Sequence, residues 1–502
     1  MSTTQSAFFV ATPPPRVAAK AAVLALPGVL SVALVLRVYA TWSQTRVLFF
    51  DETLQYFEQG HRLAFGSGVV PWEYVDGIRS WLLPGLIALV MTVCAWVGDH
   101  PGLYIGAVRG LCILLSLTVV LIGYRAGARQ AGKMGGLLTG GFCAVWFDLI
   151  FFAPAAMTEV LAAHLAIAGF WLVDIRHTKR ATFWIGVLFG FAVCLRYQYA
   201  PALLPAILWQ YRARRDLWPW LILGGGAVLL PFSGVLDAIT WGAAFQSIWL
   251  NFSKNSLQGI AAAIGIEPPG FYLEYLSIAL APVPLLLGLA ALGARRFPAL
   301  AIGAAATVAM HSLLPHKEAR FIYLALAAAP ILIGLGAIDA LTWLARRQGP
   351  RVLDFGAPAA LVLGALLSWF VATGPMADRW SVQRGMVHAF LAAHAAPDLC
   401  GLQVRDMPIW QSGGYTYLHR DVPLMFHPHQ PEIRLPNVAA PLRFLVERNR
   451  GPVPQLRGPY SHIIAEAAHP PAGFDTVACF PGDAKPGEPE LCLFKRPKGC
   501  GV

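Results

Sequence analysis

The sequence predicts an all-α polytopic membrane protein of about eleven transmembrane helices, followed by a small, outward-facing α+β domain at the C-terminal end. Of the 502 residues, 57% are hydrophobic and only 13% are charged, which is more apolar sequence than a soluble chain of this length needs. Apolar runs recur at about the 20-residue length that crosses the bilayer core. The polar remainder is concentrated in short links, in a few charged patches and in residues 376–502.

Five short links between the apolar runs are rich in lysine and arginine, and they set the predicted topology. Such clusters mark the cytoplasmic side of a membrane, so successive links must be joined by an even number of crossings. The same distribution excludes nucleic acid as a partner, because the net charge of +11 lies in membrane links rather than on one basic face. The links are 125–133, 176–180, 212–215, 295–296 and 346–351.

The apolar runs divide into the crossings that this parity allows. The first, 21–40, is expected to stay uncleaved, with its N-terminal end in the cytoplasm. Run 182–211 is too long for one span and is broken at "LRYQYAP", which predicts two shorter helices. The remaining predicted crossings are 103–124, 134–152, 155–175, 217–235, 273–294, 298–315, 320–344 and 354–374.

Run 81–98 is an exception, because its crossing would leave link 125–133 on the wrong side of the membrane. The run is short, contains Pro84 and follows a charged stretch, so we expect it to lie along the membrane surface or to dip into it. The predicted organisation is a membrane domain, 1–375, whose first outer loop is 44–102, and an outward-facing domain, 376–502.

The first charged patch follows the first span directly. Helical spacing places four of its polar residues on one stripe: Asp51, Gln55, Glu58 and Arg62. We interpret this as an interfacial helix whose acidic face borders a cavity. A carboxylate at the end of a span, in a partly dry cleft, is suited to act as a general base. The alternative is a solvated outer loop without a chemical role.

A second patch, "HKEARF" at residues 316–321, lies at a span boundary. It brings His316, Lys317 and Arg320 together, and three cationic or potentially cationic groups form an anion site best suited to phosphate. The alternative is charge that snorkels at a helix end.

A third patch, "LRYQY", places Arg196 and Gln198 at the break in the apolar hairpin. An arginine at membrane depth needs a cavity or a partner, and Glu159 is the nearest candidate partner by topology. The alternative is a purely structural arginine–glutamate pair.

Several of these residues fall in ordered motifs: Asp51-Glu52, Trp72-Glu73-Tyr74, Ile78-Arg79-Ser80, Pro84, Thr158-Glu159, Arg196 with Gln198, and His316 to Phe321. Together they resemble the mannosyltransferases that use dolichyl-phosphate-mannose in N-glycan and GPI-anchor assembly, the Alg9-like and GPI mannosyltransferase-like family. The match spans roughly residues 45–345. Two features depart from the family's pattern, because Phe49-Phe50 stand where the family has His-Pro, and 376–502 matches nothing in it.

The resemblance implies a GT-C fold and an inverting glycosyltransferase, with mannose as the expected sugar. A hydroxyl of a glycan or glycolipid acceptor would attack a polyprenyl-phosphate sugar on the outer or lumenal membrane face. Asp51 is then the expected base, and Glu52 positions the acceptor. The donor phosphate is expected at His316, Lys317, Arg320 and Arg196, and the other substrate contacts at Gln55, Trp72, Glu73, Tyr74, Arg79, Glu159 and Gln198, with Trp72 and Tyr74 stacking on a sugar ring.

Cationic side chains can neutralise the leaving phosphate, so no cofactor is required and no metal ligands are predicted, although a divalent metal stays open. The expected partners are the lipid-linked donor, the acceptor and membrane lipid. A bacterial inner membrane with a periplasmic site is expected in preference to the endoplasmic reticulum. The alternative function is a transporter or flippase of lipid-linked sugars, but the internal repeats and midplane charges that favour one are not seen in the sequence.

Four of the eight cysteines lie in the polar C-terminal region. An outward compartment is oxidising, and "ACF" and "LCLF" look like two short strands joined by a turn, which predicts a Cys479–Cys492 disulfide. Cys400 and Cys500 are the remaining pair, and four free thiols are the alternative. Residues 460–467 and 490–496 are expected to form short buried strands or helices.

Overall fold

The computed structural model describes residues 16–43, 49–380, 382–405, 407, 409–427, 459–482, 489–497 and 499. In this part of the chain, six helices are long and apolar enough to cross a membrane, and a helix pair bent by 93° would make a seventh. The chain is therefore a multi-pass membrane protein. The predicted number of about eleven spans is not confirmed, because several of the predicted crossings are short or broken helices.

The first span, α1, covers Arg16–Ser43, and the first outer loop after it is a compact helical unit. A π-helical turn, Glu52–Phe57, comes first, and it winds more widely than an α-helix. It continues directly into α2. The helices of this unit are α2, Glu58–Phe65, α3, Trp72–Val75, and α4, Leu82–Ala95.

Helix α4 corresponds to the run expected at the membrane surface. With 14 residues it is shorter than the roughly 20 that a crossing needs. One face packs on α2, while Leu86, Leu89 and Val93 form an exposed apolar stripe at helical spacing. This geometry fits a helix that lies along the membrane, and the placement itself stays a prediction.

Helix α5, Pro101–Val145, contains a sharp reversal. The backbone leaves the helical region at Ala131 and Gly132, inside the predicted basic link. A Cβ added to Gly127 would lie 2.1 Å from the carbonyl oxygen of Gly135, so only glycine allows the two arms to pack so closely. The arms match the separate crossings predicted at 103–124 and 134–152.

The break predicted in run 182–211 is confirmed. Helix α8 ends at Leu195, a 3-10 turn covers Tyr197–Tyr199, and α9 begins at Ala200. This hairpin break lies beside the first residues of α7. The helices here are α6, Phe147–Phe151, α7, Thr158–Ile175, α8, Lys179–Leu195, and α9, Ala200–Tyr211.

The second half of the membrane domain surrounds one buried helix, α17. It packs against α5, α7, α15, α16 and α18, and most of its side chains are buried. The helices are α10, Trp218–Leu229, α11, Leu236–Trp241, α12, Gln246–Phe252, α13, Ile260–Ile264, α14, Phe271–Ala279, α15, Val283–Ala294, α16, Pro298–Ser312, α17, Tyr323–Gln348, and α18, Arg351–Thr373.

The C-terminal region forms a five-stranded mixed sheet, as the predicted α+β character requires. The strand order is β2-β1-β3-β5-β4, with β1 parallel to β2 and β3, and β5 antiparallel to β3 and β4. The elements are α19, Arg384–Ala395, β1, Leu402–Arg405, α20, Gly414–Leu418, β2, Leu424–His427, β3, His462–Glu466, β4, Asp475–Phe480, and β5, Leu491–Lys495.

The Cys479–Cys492 disulfide is confirmed, and it joins paired residues of the adjacent strands β4 and β5. Cys400 is also disulfide-bonded. Its predicted partner, Cys500, lies outside the described residues.

The C-terminal region and the first outer loop share one hydrophobic core. Leu54 and Phe57 belong to the same buried cluster as Phe390 and Leu418. The sheet is therefore attached to the helical unit that follows the first span. The domain boundary after residue 375 and the outward orientation of this region stay predictions.

Candidate active site

Asp51 lies between the first span and the π-helical turn, and its carboxylate faces the "HKEARF" motif. Its Oδ2 accepts a hydrogen bond from Nη2 of Arg320 at 2.5 Å, and the Asp51 side chain is 34% exposed, against 5% for Arg320. The Arg320 guanidinium also lies 5.1 Å from the ring centre of Phe49. A buried arginine thus holds a carboxylate that keeps an open side.

The other members of the "HKEARF" motif surround Arg320 with charge. Glu318 accepts from Arg320 at 2.6 Å and lies 3.2 Å from Nε2 of His316. Burial alone would raise the pKa of Glu318, but Arg320 and His316 outweigh it and hold that pKa at about 2. The same contact with Glu318 raises the pKa of His316. Arg320 is therefore shared between the carboxylates of Glu318 and Asp51, and His316 is connected to Arg320 through Glu318.

Lys317 departs from its predicted role. Its amine donates to the backbone carbonyls of Glu267 at 2.9 Å and Pro315 at 3.4 Å, and the residue is 5% exposed. These contacts fix the loop before α14 against the motif. The spacing that puts three cations in five residues did not predict this, because residues 316–318 are irregular and the 3-10 helix Ala319–Ile322 begins only after Lys317.

The predicted Arg196–Glu159 pair is confirmed, with Nη1 and Oε1 at 3.0 Å. Glu159 also accepts from the hydroxyl of Thr158 at 3.1 Å, and that hydroxyl lies 2.9 Å from the hydroxyl of Tyr56. The Arg196 guanidinium lies 5.0 Å from the ring centre of Phe321. Glu159 thus connects the hairpin break to the "HKEARF" motif and to the helix that begins at Asp51.

A cleft of about 470 Å³, part of it open to solvent, lies where the first outer loop meets the hairpin break. Arg79, Arg196 and Gln198 line it, and its apolar wall includes Leu82 at the start of α4 and Leu195 at the end of α8. The cleft therefore lies between the hairpin break and α4, and the predicted roles of these residues stay predictions. Lining residues that sequence reasoning missed are Tyr56, Tyr197, Ser247 and Asn251.

Those missed residues gave weak signals in the sequence. Tyr56 lies inside the "DETLQYF" motif but between its charged positions. Ser247 and Asn251 lie in the long loop 236–272, which joins the predicted crossings 217–235 and 273–294 and contains the short helices α11 to α13. No charge pattern or motif marked them in the sequence. Only the folding of this loop over the first outer loop brings them to the cleft.

Glu73 and Gln55 form a buried pair beside the cleft. The Gln55 amide donates to Oε1 of Glu73 at 2.6 Å. Burial raises the pKa of Glu73 to about 7, with Arg79 opposing the rise and Asp51 adding to it. The Glu73 carboxyl is therefore poised to gain or lose a proton near neutral pH, close to both Arg79 and Asp51.

Two predicted roles do not fit the structure. Tyr74 is 3% exposed, with its ring 4.9 Å from that of Trp81 and 6.1 Å from that of Trp241, so it cannot stack on a sugar. Trp72 is more exposed than Tyr74. Glu52 is 1% exposed and accepts from the backbone N–H of Ala156 at 2.8 Å, so it holds two segments together instead of contacting an acceptor.

The predicted acidic stripe is also corrected. Glu58 accepts from the backbone N–H groups of Val69 and Thr416, and Arg62 donates to the side chain of Gln59, all away from the cleft. The π-helical turn between Asp51 and Glu58 is the reason, because its extra residue per turn rotates the following helix relative to Asp51.

Metal ligation was tested by the arrangement of donor groups. Within the described ranges, no group of three or more histidine, cysteine, aspartate or glutamate side chains is placed to hold a metal ion. The expectation that the reaction requires no metal stays a prediction.

Solved structures with a similar fold are membrane enzymes. ArnT from Cupriavidus metallidurans in the apo state aligns with a TM-score of 0.55 at 14% identity, covering 94% of this chain and 98% of that one. ArnT bound to undecaprenyl phosphate gives 0.52 at 14% identity, covering 93% and 97%. The Archaeoglobus fulgidus oligosaccharyltransferase gives 0.51 at 12% identity, covering 87% and 68%. At these identities the likeness shows the fold alone, and it agrees with the expected GT-C architecture.

Curated relatives are closer in sequence. GPI mannosyltransferase 3 of Yarrowia lipolytica is 27% identical over 403 residues, 76% of this chain and 73% of that protein. The GPI alpha-1,2-mannosyltransferase 3 of Bos taurus is 26% identical over 286 residues, 54% of this chain, and the match spans about half, 52%, of the bovine protein. A family model described as the Alg9-like mannosyltransferase family matches residues 29–377, which include every motif described above. The chain belongs to the Alg9-like mannosyltransferase family, a family of glycosyltransferases.

Proposed function

We propose that the protein is an inverting mannosyltransferase that moves mannose from a polyprenyl-phosphate donor to a hydroxyl of a glycan or glycolipid acceptor. The observation that carries this proposal is Asp51, a partly exposed carboxylate held at 2.5 Å by the buried Arg320 within the family's motif. The arginine-lined cleft beside it supplies a place for an anionic donor.

The reaction needs a base on one side of the anomeric carbon and a stabilised leaving group on the other. The acceptor oxygen forms a bond to that carbon, Asp51 takes the hydroxyl proton, and the bond between the carbon and the phosphate oxygen breaks. Attack from the face opposite the leaving group inverts the configuration. The lipid phosphate leaves with the electron pair, which cationic groups stabilise in a preorganised site.

Arg320 connects these two tasks. While Arg320 donates hydrogen bonds to Asp51 and Glu318, the Asp51 oxygen that accepts from Arg320 is occupied and is less available to an acceptor hydroxyl. A phosphate that draws the guanidinium toward itself would leave Asp51 freer to accept a proton. Base activation would then depend on the presence of the donor.

The cleft supports a lipid-linked donor. Its polar end carries Arg79 and Arg196, and its apolar wall is built from residues of α4 and α8, including Leu82, Leu83 and Val193. An isoprenoid chain entering from the membrane would lie along this wall with its phosphate at the arginines. The structure of ArnT bound to undecaprenyl phosphate, which has a similar fold, supports this placement.

The proposed face of the membrane is the outer or lumenal one, opposite the basic links. The bacterial inner membrane expected from the sequence is disfavoured, because the curated relatives come from a yeast and a mammal. The transporter alternative is disfavoured as well, since the family and the fold are those of transferases.

The test is transfer by the purified protein in detergent, without a bilayer or a membrane potential. Radiolabelled polyprenyl-phosphate mannose is supplied with a mannose-bearing glycolipid, and GDP-mannose replaces the donor in a parallel reaction. We expect product only with the lipid-linked donor, with inverted anomeric configuration by NMR and the linked sugar identified by mass spectrometry. No transfer, or retention of configuration, would overturn the proposal.

A further inference from the structure

The long 236–272 loop holds the motif that contains Arg79 through its backbone. Trp241 Nε1 donates to the carbonyl of Arg79 at 2.9 Å, and the Asn251 amide donates to the carbonyl of Ile78 at 3.1 Å. The Gln246 amide reaches the carbonyl of Gly77 at 3.4 Å. Three consecutive carbonyls are thus each bound by a side chain of one loop.

An ion pair extends this contact by one residue. Lys254 lies 2.5 Å from the carboxylate of Asp76, and both side chains are largely buried. Gly77 makes the approach feasible, because its φ of 69° is a left-handed conformation and a Cβ there would lie 2.5 Å from the Gln246 amide nitrogen. The turn at Asp76-Gly77 therefore has the shape that the loop requires.

The loop is itself braced by buried polar groups. Asp237, with no exposed surface, accepts from the backbone N–H and the hydroxyl of Ser247 at 2.8 and 2.6 Å. The side-chain oxygen of Asn251 accepts from the hydroxyl of Tyr197 at 3.1 Å. Asn251 therefore joins the first outer loop to the hairpin break, at the rim of the cleft that both segments line.

These contacts fix the backbone from which the Arg79 side chain extends. It lines the cleft, and its Nε is buried without a hydrogen-bond partner in the described part of the chain. A buried guanidinium N–H without an acceptor is costly unless a ligand supplies one. A fixed backbone also lowers the entropy lost when the side chain closes on a ligand.

We propose that residues 241–254 form a positioning clamp that sets the Arg79 guanidinium for the donor phosphate, with Trp241, Asn251 and Lys254 as positioning residues. The inference rests on the proposed function only in naming that phosphate. It assigns a task to a loop that carries no motif of its own, and it makes donor affinity depend on Trp241 and Lys254, which do not line the cleft.

The test measures binding of farnesyl phosphate, a short polyprenyl monophosphate, to the purified full chain, together with donor and acceptor KM. Trp241→Phe removes the N–H but keeps an aromatic ring, and Asn251→Ala removes the bond to Ile78. We expect each to weaken farnesyl phosphate binding and raise donor KM about 3- to 10-fold, the factor for one hydrogen bond, with acceptor KM unchanged. Trp249→Phe, an exposed tryptophan of the same loop, is the matched control.

A double-mutant cycle separates positioning from general destabilisation. In an Arg79→Ala background, Trp241→Phe and Asn251→Ala should weaken binding by less than about 2-fold, because the group they position is gone. An equal weakening in both backgrounds, or unchanged binding in the single variants, would overturn the clamp.

The ion pair gives a second route that does not depend on the tryptophan variant folding. Lys254→Asp should weaken binding, and adding Asp76→Lys should restore it, because the exchanged charges attract again. A failure of the exchange to restore binding would count against the clamp. These binding readouts need no turnover, so failure of the proposed function, seen as absent transfer by the wild type, stays distinguishable.

Discussion

The helical segment 51–65 has two ends with opposite surroundings. At the first, Asp51 is 34% exposed and pairs with the buried Arg320. At the other, Glu58 and His61 are buried and contact the C-terminal region. Both ends are rich in charge, yet one keeps an open side while the other is closed. The partner across the contact, and not the run of charges, decides which end stays open and which end is closed.

The closed end is built around Glu58. Its carboxylate accepts from the N–H groups of Val69 at 2.7 Å and Thr416 at 2.5 Å, and from the Thr416 hydroxyl. Burial raises the pKa of Glu58, and these hydrogen bonds oppose the rise. A Cβ on Gly414, whose φ is 58°, would lie 2.5 Å from this carboxylate, so the close contact depends on glycine.

A chain of two imidazoles closes the same end. His61 bonds the carbonyl of Ser67 at 2.6 Å and faces His419 at 2.8 Å, and His419 contacts the carboxylate of Asp99 at 2.8 Å. The Ser67 carbonyl and the Asp99 carboxylate can only accept hydrogen bonds. The three hydrogen bonds that these groups and the two imidazoles form therefore need three N–H protons on the two rings. Burial lowers the pKa of His61 to about 4, so a second proton on His61 is disfavoured.

The largest expected effect is at the open end. Asp51→Asn keeps the size of the side chain but removes the base, so transfer should fall about 10²- to 10⁴-fold while the thermal midpoint stays close to wild type. Rates and melting curves of the detergent-purified variant check this. Glu274→Gln, an exposed carboxylate on α14, is the matched control. An Asp51→Asn enzyme with more than about a tenth of wild-type activity would remove Asp51 as the base.

The next effect separates two cations that lie three residues apart in one motif. Arg320→Ala removes charge-assisted bonds to two carboxylates, so donor kcat/KM should fall about 10- to 100-fold. Lys317→Ala removes only bonds to backbone carbonyls and should lower the thermal midpoint with donor KM unchanged. Equal losses of donor use in both variants would instead support the phosphate role that the sequence predicted for Lys317.

How far the sequence could lead is shown by these same residues. Asp51, the Arg196–Glu159 pair and the Cys479–Cys492 bridge could be predicted, since motif, topology or strand pairing places each partner. The burial of Tyr74 could not, because Trp241 covers it from a loop without a pattern. Glu58 was misplaced because helical spacing assumes an α-helix, and the Glu52–Phe57 turn is π-helical.

The number of membrane spans could not be predicted for a different reason. Length and hydropathy identify uniform helices, whereas this chain uses bends and breaks, such as the glycine-lined reversal in α5 and the 93° bend between α14 and α15. Those breaks depend on close packing between helices, which no single segment encodes.

At the closed end we expect a substitution to lower stability rather than transfer activity. Glu58→Ala leaves the N–H groups of Val69 and Thr416 without their acceptor, which should cost about 1–3 kcal/mol of unfolding free energy. The measurements are the thermal midpoint and the protease sensitivity of the C-terminal region. Gly414→Ala should act in the same direction through steric conflict. Loss of transfer without loss of stability in Glu58→Ala would mean that this end also takes part in the reaction.

The smallest expected effect is a pH dependence that belongs to the closed end alone. His61 has a folded pKa of about 4 against an ordinary value of about 6.5. Between these two pH values the unfolded chain therefore binds a proton at His61 that the folded chain does not bind. The contribution of neutral His61 to the unfolding free energy is complete above about pH 6.5 and is lost as the pH falls toward 4. The ring of His419, 5.1 Å from that of His61, adds to the lowering of the His61 pKa, and His394 lies 5.9 Å from His419.

In melting curves between about pH 6.5 and 5.5, the unfolding free energy of the wild type relative to His61→Gln should fall by about 1 kcal/mol. The comparison with His61→Gln is needed because Glu73, with its pKa raised to about 7, titrates in both proteins with the opposite effect on stability. His469→Gln, with a side chain that is 72% exposed, should leave the wild-type pH dependence unchanged. A wild-type protein whose stability relative to His61→Gln rises as the pH falls over this range would contradict the lowered pKa of His61, because His61 would then have to gain its proton on folding.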